Sequence, residues 1–229
     1  MAEIIPAILP ETIADIRNNV AAVLGKVNVV QIDLVDGAFA PTRTWPYNGE
    51  DQHFLEALEE EKEGMPFWQE INFELDLMVR NAHEHLDYFY KFAPSRIVLH
   101  AEAEGDEAEF ANFMEAIDSY FRDTIEFGLA INVNSSIDAL KHIIKEVDFV
   151  QCMGIEHIGK QGEELDPRVY DQIKKIATDY PGLTISVDGG VNEHNAEALL
   201  EAGANRLVVG SAIWRSRNPL ETLRYLQSL

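Results

Sequence analysis

Apolar residues along the chain fall into short runs, each followed by a longer stretch in which they recur every three or four positions. The runs predict strands over 3–9, 27–33, 68–77, 96–100, 126–131, 149–152, 184–188 and 206–209. The periodic stretches predict helices over 10–24, 53–61, 82–92, 107–121, 137–145, 166–179, 192–202 and 219–226. Helix-start residues sit where they should: Ser136 before Ile137, Asp166 before Pro167, and Asn192 before Glu193. Gly203 occupies a C-terminal cap position. The strand runs are apolar throughout instead of alternating, so both of their faces are covered, as in a parallel sheet. Eight β/α repeats over residues 1–229, with no linker rich in Gly, Ser or Pro, fit one α/β domain, a (β/α)8 TIM barrel. An open doubly wound sheet is the alternative.

Charge narrows the partners. Forty acids against 18 bases give a formal charge of −22, a surface that repels nucleic acid and anionic membranes. No apolar run approaches the roughly 18 residues needed to span a bilayer. The start "MAEIIPAILPET" lacks the basic opening and long apolar stretch of a secretory signal. One cysteine, Cys152, excludes an internal disulfide and reads as core filler. A cytoplasmic protein is expected, with no nucleic-acid or membrane partner. An anionic substrate would need local positive potential, which backbone amides and helix starts can supply.

In a barrel of this kind the chemistry lies at the C-terminal ends of the strands. Those ends carry Gln31 and Asp33, Glu74 and Asp76, His100 followed by Glu102, Asn132 and Asn134, Met153 with the loop "GIEHIGKQG", and Asp188. Side chains alternate along a strand, so Gln31 lies one layer beneath Asp33, and Glu74 beneath Asp76. Asp33, Asp76 and Asp188 should converge on one mouth. Clustered carboxylates repel, which raises at least one pKa or demands a cation, and suits acid/base or metal chemistry. The turns "DGGV" (188–191) and "VGSAI" (209–213) follow consecutive strands. Glycines there let backbone N–H groups approach a ligand, and barrels commonly bind phosphate at this place. Gly189, Gly190, Gly210 and Ser211 are the candidate phosphate-binding residues.

With these residues in view, the chain resembles the ribulose-phosphate 3-epimerase family almost end to end. "IIPAILP" resembles its first strand, Pro-Ser-Ile-Leu-Ser, and "QIDLVDGAFAP" its His-x-Asp-x-Met-Asp-Gly-x-Phe-x-Pro. "ELDLMV" resembles Asp-Val-His-Leu-Met, "IVLHAEA" the stretch ending His-x-Glu, and "VDGGVN" and "VGSAIW" the phosphate loops. The resemblance implies a (β/α)8 barrel, a homo-oligomer, and epimerisation at C3 of a ketopentose 5-phosphate through an enediolate. One Asp removes the proton and the opposite Asp returns one; by position these are Asp33 and Asp188. A divalent metal, held in the family by two His and the two Asp, stabilises the enediolate.

The departures fall on the metal site and on the loop after strand six. Gln31 and Asp76 stand where the family has its metal-binding His, and Ala7 and Pro10 replace two serines. The family's Met-x-x-x-Pro-Gly-Phe-Gly-Gly-Gln becomes Met153-Gly-Ile-Glu-His-Ile-Gly-Lys-Gln-Gly162. Gln31, Asp33, Asp76 and Asp188 form an all-oxygen ligand set that favours Mg or Mn over Zn. Without a metal, Lys160 or His100 would have to offset the enediolate charge. Gly159, Lys160 and His100 are alternatively substrate or phosphate contacts, and His100 is otherwise an orienter of a neighbouring acid. Another phosphosugar isomerase or lyase, or a non-catalytic sugar-phosphate binder, is the alternative function. His83, His85, His142 and His194 are expected at the surface, "LEEEKEG" (58–64) as an exposed helix end, and Trp45 and Trp68 in packing roles.

Overall fold

The computed structural model describes residues 2–229. Eight parallel strands close into a barrel in sequence order: β1 (Glu3–Ile8), β2 (Val29–Val35), β3 (Asn72–Met78), β4 (Arg96–His100), β5 (Glu126–Ile131), β6 (Phe149–Met153), β7 (Thr184–Asp188) and β8 (Arg206–Val209). Closure between β1 and β8 removes the sheet edges that an open doubly wound sheet would leave. The connecting helices are α1 (Ile13–Val23), α2 (Gln52–Glu59), α3 (Leu86–Tyr90), α4 (Glu107–Ala116), α5 (Ser119–Arg122), α6 (Lys141–Ile144), α7 (Arg168–Asp179), α8 (Ala196–Ala202), α9 (Ser211–Trp214) and α10 (Pro219–Gln227). Among the described residues, no helix is long and apolar enough to cross a membrane.

The helices seat themselves by stripe and cap. In α7 the buried positions Val169, Gln172, Ile173 and Ile176 repeat at helical spacing against the sheet. A capping box joins Thr12 and Asp15 at the start of α1. The expected helix over 107–121 is two helices, because the Asp118 carboxylate accepts the Tyr120 N–H at 2.8 Å and starts α5 afresh. The expected helix over 137–145 closes only at Lys141–Ile144, where no side chain caps its first turn. Strand β3 begins at Asn72, not at 68, so Trp68 lies outside the core and is 54% exposed, against expectation. Trp45 is fully buried against Phe54 and Phe92. Cys152 is buried. His85, His142 and His194 are exposed, but His83 is buried and paired with Glu104 between Phe110 and Phe113. The turn that follows Asn81 aims it inward rather than at solvent.

Register carries the polar residues of different strands to common levels. Gln31 pairs in register with Glu74, and Asp33 with Asp76. Met153 pairs with Asp188, and Gln151 with Ser186. On β2, Val30, Ile32 and Leu34 face the helix layer, while Gln31 and Asp33 face the barrel axis with Val35 above them. The barrel interior is therefore built partly of polar side chains at the level just beneath its mouth.

Candidate active site

A pocket opens at the C-terminal end of the barrel. Asp33 and Asp188 line it from β2 and β7, the segment Gly159–Glu163 from the loop after β6, and Gly189, Gly190, Gly210 and Ser211 from the last two turns. Ala7, Met78, Met153, Ile155, Val191 and Val208 supply its apolar wall.

One oxygen each from Asp33, Asp76 and Asp188 can be chosen so that all three lie within 4.8 Å of one another. The Nε2 of buried Gln31 sits between two of these acids, donating to Asp33 Oδ1 at 2.8 Å and Asp188 Oδ2 at 2.9 Å. Its Oε1 is buried without a hydrogen-bond partner. His100 Nε2 pairs with Asp76 Oδ1 at 2.6 Å. The strand-end histidine thus lies beside Asp76, fully buried under the Phe39 ring, and not on the pocket wall. Lys160 lines the pocket with its side chain half exposed, 3.9 Å from Glu163.

Crowding tunes these groups. Burial, then repulsion from Asp188 and Asp76, holds the Asp33 carboxyl well above its ordinary range. Burial and the Asp76 charge push Asp188 up to about 7, against the pull of the Gln31 amide and His100. For His100, burial works against the cation, but the Asp76 carboxylate together with Glu102 and Asp188 raises the imidazole above its usual value. Burial and mutual repulsion thus make both carboxyls harder to ionise than a free aspartate.

The loops around the pocket are fixed by their own chemistry. The Asp36-Gly37 turn directs the chain away from β2: Asp36 Oδ1 accepts from Ala38 N at 2.7 Å and Phe39 N at 3.0 Å, and Gly37 takes φ +78°. After β7, Gly189 and Gly190 adopt φ +97° and +71°. A Cβ on Gly190 would stand 2.6 Å from the Leu165 backbone nitrogen, so the turn excludes any side chain there. Ser211 opens the short helix α9, and Trp214 Nε1 from α9 donates to Ala7 O at 2.6 Å. Gln161 Nε2 reaches the same carbonyl at 3.3 Å, and Thr42 Oγ1 donates to Gly159 O, so the rewritten loop is tied to the end of β1 and to the loop after β2. Glu102, Asn132 and Asn134 brace other loops: Glu102 Oε1 accepts from Asn132 N at 2.8 Å, Asn132 Nδ2 donates to Glu156 O at 3.1 Å, and Asn134 Oδ1 accepts from Arg168 Nη1 at 2.5 Å.

Sequence patterns bring Asp33, Asp76 and Asp188 to one place, and the structure places them together. They pass over Gln151, which is buried in β6 and reaches Asp76 and Asp188. The signal for it is a single amide inside the apolar run "FVQCM".

A closed eight-stranded barrel with titratable carboxylates at its mouth and glycine turns after β7 and β8 defines a class of small-molecule enzyme folds. Within it, residues 3–214 match the model of the ribulose-phosphate 3 epimerase family, and the chain belongs to that family. It is 26% identical over 220 residues to the ribulose-phosphate 3-epimerase of Bacillus subtilis, covering 93% of each chain. It is 23% identical to that of Schizosaccharomyces pombe, covering 99% of this chain and 93% of the relative. The fold is shared with the crystal structure of 3-keto-L-gulonate-6-phosphate decarboxylase from Vibrio cholerae. The TM-score is 0.68 at 14% identity, over 100% of this chain and 97% of that one.

Proposed function

We propose that the protein epimerises a ketopentose 5-phosphate at C3, in the manner of ribulose 5-phosphate to xylulose 5-phosphate. The observation that carries this reading is the pair Asp33 and Asp188. Both line the pocket, both carboxyls are pushed above their ordinary range, and a single amide bridges them. The ionised member takes the C3 proton, leaving an enediolate. The protonated member returns a proton to the opposite face, so inversion needs two carboxylates and not one. Membership of the epimerase family supports the same reaction.

The phosphate end lies against the turns at Gly189–Gly190 and Gly210–Ser211, where the backbone can come close, with Lys160 contributing charge against the acidic surface. His100 acts through Asp76, as its orienter. The donor set fits a hard divalent cation: three convergent carboxylates, plus the unpartnered Oε1 of Gln31 once its amide turns over. Asp33, Asp76, Asp188 and Gln31 would hold Mg or Mn in preference to Zn. Bound there, the ion supplies positive charge that stabilises the enediolate oxygens.

The test is epimerisation of ribulose 5-phosphate by EDTA-treated protein, with Mg, Mn and Zn returned separately. Turnover restored by Mg or Mn is expected. No turnover under any metal, or turnover with Zn alone, would refute the proposed reaction or its ligand set respectively.

A further inference from the structure

Gln151 lies in the middle of β6, fully buried, two residues short of the pocket-lining Met153. Its Nε2 faces two acids at once, Asp76 Oδ2 at 3.3 Å and Asp188 Oδ2 at 3.4 Å. Its Oε1 is buried with no hydrogen-bond partner. An unpartnered buried carbonyl opposes folding, and an apolar side chain of similar size would fill the same space without that cost. Barrel packing gives no reason for an amide at this position, whereas the two carboxylates above it do. Gln31 also donates to Asp188 Oδ2, at 2.9 Å. Without an ion the same oxygen is held by two amides from two strands; once Gln31 turns its oxygen toward an ion, Gln151 is the amide that still holds it.

We propose that Gln151 is a positioning residue for the epimerisation: its one amide clips Asp76 to Asp188 and fixes the carboxylate that exchanges the C3 proton. It makes no contact with substrate, because it lies beneath the pocket and acts through Asp188. The proposal rests on the two-Asp reaction proposed above. It also explains why a residue unfavourable to the core sits there, as at other sites where stability is given up for preorganisation.

The test compares Gln151→Leu and Gln151→Met with the parent protein under saturating Mg or Mn. The kcat for ribulose 5-phosphate should fall by roughly 10- to 100-fold, the scale of a misplaced reacting group. The KM and the calorimetric affinity for the sugar phosphate should stay within about twofold, since the phosphate turns are untouched. The Tm should hold or rise. Unchanged kcat, a matching rise in KM, or a failure of both variants to fold would each overturn the proposal in favour of a packing or binding role. An arm without substrate separates this from the reaction itself. In protein labelled with 4-13C-aspartate, the carboxyl infrared bands should shift in Gln151→Leu. An absent shift overturns the placement of Gln151. A shift in a protein that never epimerises overturns the reaction and leaves the clip in place.

Discussion

At the N-terminal end of the barrel, Arg96 lies 3.1 Å from Glu3, 3.5 Å from Glu74 and 3.2 Å from Glu126, and Arg206 reaches Glu3 at 3.1 Å and Glu126 at 2.8 Å. At the mouth, Asp33, Asp76 and Asp188 crowd together with the His100 imidazole as their neighbour and the amides of Gln31 and Gln151 as donors. Both ends bury acids, but only the lower end balances them with guanidinium groups. Even there Glu74, fully buried, is raised by burial to about 7 despite Arg96 and Arg206. The lower cluster closes the barrel and serves stability. The upper one holds acids together without a guanidinium, as the proposed acid/base chemistry requires.

Substitution at each end should separate these roles. Asp33→Asn or Asp188→Asn should cut turnover on the order of 10³-fold or more, with an unchanged circular dichroism spectrum. Turnover near that of the parent would end the two-base assignment. Arg96→Met should instead cost about 3–5 kcal/mol in urea unfolding, because it leaves Glu74 buried beside a single remaining cation. The kcat of the folded fraction should persist; an equal loss of kcat would show that the two ends are not independent.

The pH dependence of stability sharpens the contrast. The Asp188 pKa is about 7 in the folded protein and about 4 in an unfolded chain. Between those values the folded state binds more protons than the unfolded one. The contribution of Asp188 to stability therefore falls as pH rises through this window and stays low above it. Asp188→Asn should gain on the parent by up to about 4 kcal/mol between pH 4 and pH 8, read as a Tm difference that widens with pH. A constant difference would mean that the carboxyl is not raised. The smallest expected effect is that of Ser211→Ala, a roughly threefold to tenfold loss of affinity for the phosphorylated sugar only. Equal loss for the unphosphorylated sugar would remove Ser211 from the phosphate site.

Much of this was legible in the sequence. Strand positions came from apolar runs, and β4, β5, β7 and β8 match their expected limits residue for residue. Period-two reasoning placed Asp33 and Asp76 above Gln31 and Glu74, and the register agrees. Helix limits were harder, because a cap such as Asp118 restarts a helix inside a continuous apolar stripe. The orientation of Gln31 could not be read, since an amide offers a donor or an acceptor and only its neighbours decide which. His83 and Gln151 were hidden for a related reason: each partner lies on another strand or loop, 21 residues away for His83 and 37 and 75 for Gln151.

The central claim is that the proton taken from C3 and the proton returned to it sit on different carboxylates. The direct measurement is early-time NMR of the product formed from ribulose 5-phosphate in D2O. Asp33 and Asp188 acting as a pair predict xylulose 5-phosphate that carries deuterium at C3 from the first turnovers, because the returning group is loaded from solvent. Product that retains protium at C3 would mean that one group carries the same proton across, and would contradict the account.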